Sequence, residues 1–170
     1  MGEKTNEITC VPKLLDKLAL EGAIVTMDAM GTQVEIAEQV VKKKADFVLA
    51  LKGNQRHLFE DTTDAFSTRQ LHKRHLEQVK GHGRIDKRGY KILPAEGDLT
   101  DAVAQRWPML KSLIRVEHEV SKPNTQPKKE TRYYISSLDF NDLSAREVAY
   151  YIREHWGDRK PSSLAVGCDV

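Results

Sequence analysis

The hydrophobic period changes several times along the chain, and each change marks an element. In residues 11–20, VPKLLDKLAL, Leu14, Leu15, Leu18 and Leu20 recur at helical spacing. The pattern predicts a helix with Pro12 in its first turn, where a missing N–H does no harm, and Gly22 as its stop. Residues 23–28, AIVTMD, switch to a short apolar and β-branched run, which predicts a buried strand. GTQVEIAEQVVKKKA follows. Thr32 and Glu35 have capping-box spacing, and Ile36, Ala37, Val40 and Val41 form an apolar stripe, so a second helix is expected. DFVLAL, residues 46–51, reads as a second buried strand, stopped by Gly53. The last three elements make a βαβ unit, which predicts two adjacent parallel strands with a right-handed crossover. Asp28 then falls at the carboxyl end of its strand, the edge where sites gather in open α/β sheets.

The middle of the chain is less periodic and more basic. GHGRIDKRGYKIL reads as strand material, and residues 110–120 and 131–137 read as two further strands. SKPNTQPKKE between those two is a polar loop with two prolines and predicts a hairpin connection. Helical spacing returns in DLSAREVAYYIREHW. Ser144 and Glu147 form a cap pair, and Val148, Tyr151, Ile152 and His155 share one face. After Trp156 the pattern dissolves into GDRKPSSLAVGCDV.

At 170 residues the chain has the size of one ordinary domain, and its 39% hydrophobic and 31% charged residues fit a polar globular protein. A net charge of +2 gives no bulk case for nucleic acid, so local clustering of charge carries that question. Cys10 and Cys168 lie near opposite ends without metal-type spacing, and read as free thiols of a reducing compartment. No apolar run approaches the ~18–20 residues of a membrane span. A cytoplasmic protein is expected.

Three groups carry candidate chemistry. Asp28 at a strand exit can ligate a divalent cation, or can simply cap the next turn. Lys52, Asn54 and Gln55 in LKGNQ leave the neighbouring strand at the same sheet edge. A lysine and two amides suit phosphate, and they equally suit an ordinary polar loop. KGHGRIDKR supplies Lys80, His82, Arg84, Lys87 and Arg88. In a strand Arg84 and Arg88 share a face with Asp86 between them, giving either a DNA-contacting ribbon or a solvated hairpin. The histidines show no zinc spacing, and no Gly-rich phosphate loop is present.

Together the words become specific. NEIT, then GAIVTMDAMGTQ, EIAE, ADFVLALKGNQ, HGRID, RYYISSL and IREHW, in this order from about Glu3 to Gly157, resemble the DDE transposases associated with bacterial H-repeats. The resemblance implies an α/β fold, a partial RNase H-like domain with a β-rich insertion. Residues 3–53 would form the partial core, 54–137 the basic insertion and return strand, 138–157 the start of the last catalytic helix, and 158–170 a frameshifted tail. It implies three acids holding two Mg²⁺ ions for phosphoryl transfer on DNA, at insertion-sequence ends. Asp28 takes the place of the second acid, and the first belongs to a strand upstream of NEIT. The third belongs to a motif H-W-x-I-E-N, in which His155 and Trp156 match but Arg159 holds the glutamate's place. Written in permitted codons and read from the second base, GDRKPSSLAVGCDV becomes G-I-E-N-H-L-H-W-L-L-D-V-M. A one-base shift near codon 157 is therefore expected, and the nucleotide sequence there decides it. Two function classes follow: a transposase fragment, catalytically dead here, with DNA and a second copy of itself as candidate partners, and a non-catalytic DNA-binding remnant or inert pseudogene product.

Overall fold

The structure, a computed structural model, describes residues 7–70, 72–156 and 164–165. Helix α1 (Glu7–Lys17) leads into strand β1 (Ile24–Met27), a 3-10 turn (Ala29–Gly31), α2 (Val34–Lys42) and β2 (Asp46–Leu51). Then come α3 (Arg56–Thr68), β3 (Lys73–Gly81), β4 (Arg84–Pro94), α4 (Asp101–Arg106), β5 (Ser112–Ser121), β6 (Lys128–Ser136), α5 (Ala145–Trp156) and β7 (Leu164–Ala165).

The described strands form one seven-stranded mixed sheet in the order β3-β4-β5-β6-β2-β1-β7. β1 and β2 pair in parallel, with Ile24 opposite Asp46 and Met27 opposite Leu49, as the βαβ pattern requires. β3 to β6 form an antiparallel meander, and β6 joins it to β2, with Leu51 opposite Tyr133. The basic middle region thus extends the same sheet rather than forming a separate layer. The outer side of β1 is paired in parallel by β7, which sets Leu164 opposite Val25 and Ala165 opposite Thr26.

Alternation along β2 explains the layering. Phe47, Leu49 and Leu51 point to one face, where they join Leu15 of α1, Ile36 and Val40 of α2, and Leu58 and Phe66 of α3. Val48 and Ala50 point to the other, where Tyr90, Ile114 and Tyr134 meet Val148 and Ile152 of α5. Both faces of β2 are dry, which is why its sequence is an unbroken apolar run.

Several expectations change. α1 begins before Val11, so Pro12 lies inside the helix and one backbone bond is simply omitted. Gly22 lies past the helix end at φ +77°, and its N–H donates to the Lys44 carbonyl. Thr32 does not cap α2. Gln33 precedes that helix without a side-chain cap bond, and the Thr32 hydroxyl is spent elsewhere. Ser144 and Glu147 do form the reciprocal capping box, with bonds of 2.9 and 3.1 Å. Helices α3 and α4 and strand β3 are additions to the pattern read from sequence. Cys10 is disulfide-bonded rather than a free thiol, and Cys168 lies outside the described residues. No helix among the described residues is long and apolar enough to cross a membrane.

Candidate functional site

β1 ends at Met27, which is 1% exposed, and Asp28 emerges into solvent. The strand exit is shaped by a short polar motif. Asp28 Oδ1 accepts the N–H groups of Met30 at 3.1 Å and Gly31 at 3.3 Å, capping the 3-10 turn. The Thr32 hydroxyl lies 2.5 Å from the Ala50 carbonyl oxygen, and so ties the turn to β2. The capping role and the strand-exit position therefore coexist in Asp28, and one carboxylate oxygen is already engaged.

The loop after β2 clamps the loop after β1. Asn54 Nδ2 donates to the Ala29 carbonyl at 2.8 Å, and Gln55 Nε2 donates to the Thr32 carbonyl at 3.0 Å. LKGNQ is thus brought beside Asp28 as the parallel pairing predicts, but its two amides point inward. They act as positioning residues for the acid's turn. Lys52 is left exposed at the rim.

A cavity of about 400 Å³ opens at this edge, and Asp28, Lys52, Phe59, Glu130, Arg132 and Tyr134 are among its lining residues. Glu130 and Arg132 reach it because β6 runs antiparallel to β2 and carries its first half past the end of that strand. The two side chains pair at 2.9 Å. The Arg132 bond holds the Glu130 carboxyl below its usual range, and Glu130 raises the guanidinium in turn. Lys52 is close enough to add to the lowering at Glu130. Burial pushes the Tyr134 phenol up to about 12, so it stays protonated at neutral pH. Phe59 and Tyr133 pack edge to face with centroids 5.5 Å apart and close one wall.

Among the described residues the donor set on this cavity does not fit a two-metal centre. The carboxylates on the cavity are Asp28, which caps a turn, and Glu130, which is neutralised by Arg132. Among the described residues no group of three His, Cys, Asp or Glu could hold a metal ion. His155 and Trp156 lie in the last turn of α5. Their side chains and Arg159 lie outside what is described.

The basic segment occupies the β3–β4 hairpin, whose tip is His82 at φ 50° and Gly83 at φ 71°. Two successive left-handed residues give the twist that two-residue hairpins favour. The register separates the cations. Arg84 and Arg88 share a face with Asp86, while Lys80 and Lys87 face the other way. Arg84 Nη2 bonds Asp86 at 2.6 Å, and His118 Nε2 holds the same carboxylate, so that it lies below its usual range, His118 being the larger cause. Arg84 and Arg88 thus flank Asp86 on one face, as a strand requires, and Arg84 is paired internally with that acid.

Comparison with known proteins gives the same direction over nearly the whole length. A family model described as "Transposase DDE domain" matches residues 2–157. "H repeat-associated putative transposase YhhI" of Escherichia coli K12 is 35% identical over 161 residues, which cover 91% of this chain and 42% of the relative. "Putative protein YbfL" of the same strain has the same identity and coverage. "Putative transposase YncI" of Escherichia coli O157:H7 is 35% identical over 168 residues, 90% of this chain and 40% of the relative. The chain thus spans about two fifths of the length of these curated relatives. A strand-exit acid in TMDAMG, the clamp from LKGNQ and the family match converge on one conclusion: this chain belongs to the DDE transposase domain family.

Proposed function

We propose that the chain is the DNA-holding portion of an RNase H-like transposase domain, and that these 170 residues bind DNA without cutting it. The observation that carries this reading is the joint presence of Asp28, Lys52 and Arg132 on one cavity at the carboxyl edge of two parallel strands. The family's reaction is DNA cleavage and strand transfer by two-metal phosphoryl transfer in insertion-sequence transposition. It needs several acids around a pair of Mg²⁺ ions. Here Asp28 and Glu130 are the carboxylates on the cavity, Glu130 is paired with Arg132, and the one carboxylate left without a cation cannot arrange two metals. Lys52, Lys80, Lys87 and Arg88 remain suited to phosphate. Lys52 meets the backbone at the cavity rim, and the hairpin lysines meet it along the meander. Asn54 and Gln55 support this by fixing the turn rather than by touching DNA.

Binding of this kind is sequence-tolerant and weakens steeply with salt, because each neutralised phosphate releases counterions. The test is incubation of the purified chain with labelled duplex carrying insertion-sequence ends, in Mg²⁺ and then in Mn²⁺. The expected result is a salt-sensitive gel shift with every strand intact. Nicked or joined strands would refute the loss of catalysis, and an absent shift would refute the DNA-holding role.

A further inference from the structure

β3 lies at one end of the sheet, with β4 as its neighbour there. It is nine residues long, KRHLEQVKG, so its outer side presents a row of backbone donors and acceptors. Two large apolar side chains stand out on it: Leu76 is 69% exposed and Val79 is 68% exposed. The residue opposite Leu76 on β4 is Gly89, which offers no side chain to cover it. An edge strand of this length with an uncovered leucine at its middle invites another strand.

We infer that the occupant is β3 of a second copy, paired antiparallel about a two-fold axis at Leu76. The register follows from apolar contact and charge together, because a two-fold at Leu76 is the one that sets the exposed leucine against its own copy. Centred on Leu76, the pairing sets Leu76 against its own copy, His75 opposite Glu77 of the other strand, Arg74 opposite Gln78, and Lys73 opposite Val79. No like charges meet over residues 73–79. Centred on Glu77, the pairing would set the two Glu77 carboxylates face to face and Arg74 against Lys80, both unfavourable. A shift by one residue would turn the leucines to opposite faces of the joined sheet. The groups around the contact are consistent with the first register. Glu77 already lies 3.3 Å from His75 Nε2 and accepts from Arg153 of α5 at 3.3 Å, so the second copy's histidine adds a polar partner to a carboxylate that faces nitrogen donors. Two copies joined in this way share one continuous sheet, and their basic hairpin tips point to opposite ends.

The experiment is sedimentation equilibrium of the whole chain over the micromolar range. The native chain is expected to form a dimer. Leu76→Lys sets two like charges directly opposite and is expected to weaken dimerisation by about tenfold. Circular dichroism should be unchanged, because Leu76 is mostly in solvent. Val41→Lys on α2, which is 38% exposed and distant from β3 in the strand order, should leave the dimer intact. Register is read by crosslinking: Leu76→Cys should form an intermolecular disulfide readily and Val79→Cys should not. A native chain that stays monomeric, a Leu76→Lys dimer as tight as the native one, or equal crosslinking by the two cysteine variants would overturn the proposal.

Discussion

Leu49→Ala is expected to reduce folding stability by about 2–5 kcal/mol, the range for emptying a buried leucine site. Leu49 is 0% exposed and stands at the centre of β2, opposite Met27 on one side and Ile135 on the other. The cavity it leaves is walled by strands fixed on both sides, so little collapse is available to fill it. A domain of this size has about 5–15 kcal/mol in total, so one substitution removes a large share. The form of the loss matters as much as its size. β2 joins the parallel pair to the antiparallel meander, and among the described strands the meander has no other pairing to the core. The two halves should therefore melt together, in one transition that is shifted down as a whole. Circular dichroism and tryptophan fluorescence followed against urea provide the check. Separate transitions for the two probes would mean that β6 and β2 do not act as one unit.

Gly31→Ala should be the most disruptive single-atom-scale change at the site, at about 1–3 kcal/mol, the usual cost of overpacking. Gly31 is buried at the end of the turn that Asp28 caps. A Cβ at this position would lie 2.8 Å from Met27 Sδ and 3.0 Å from Met27 Cβ. The sulfur can swing away, but the Met27 Cβ is fixed to β1, so the turn itself must move. The Met30 and Gly31 N–H groups would then leave Asp28 Oδ1, and the Ala29 carbonyl would leave Asn54. Hydrogen exchange at Met30 and Gly31 should accelerate well beyond the change at Val25 in the adjoining strand. Equal acceleration at all three amides would show that the turn is not a local unit. The glycine in TMDAMG is thus explained by a steric need beside the acid.

Legibility in the sequence followed burial. The span of β2 is the span its apolar run marks, because a strand dry on both faces leaves an uninterrupted signal. β3 leaves almost none. It is an edge strand wet on one face and half-covered by α5 on the other, and His75, Leu76, Glu77 and Gln78 show no alternation. α3 has buried positions at Leu58, Thr62, Ala65 and Phe66, a helical spacing carried by only three apolar residues and so easily read as loop. The neighbourhood of Asp28 and LKGNQ was legible because parallel pairing brings the two strand exits together. The inward direction of the Asn54 and Gln55 amides was not, since it depends on where the 3-10 turn places the Ala29 and Thr32 carbonyls. Glu130 and Arg132 enter the cavity only through the β2–β6 register, which long-range pairing sets and no local pattern records.

The central claim is that DNA is held at the Asp28 cavity by protein cations. The most direct test is fluorescence anisotropy of a labelled duplex, titrated with the native chain and with Lys52→Ala across a series of salt concentrations. Lys52 is exposed at the rim, so its removal should leave the fold intact. The predicted result is weaker binding to all duplex sequences alike, with the log–log salt slope reduced by about 1, the effect of one lost phosphate contact. Native and Lys52→Ala curves that superimpose at every salt concentration would contradict the claim.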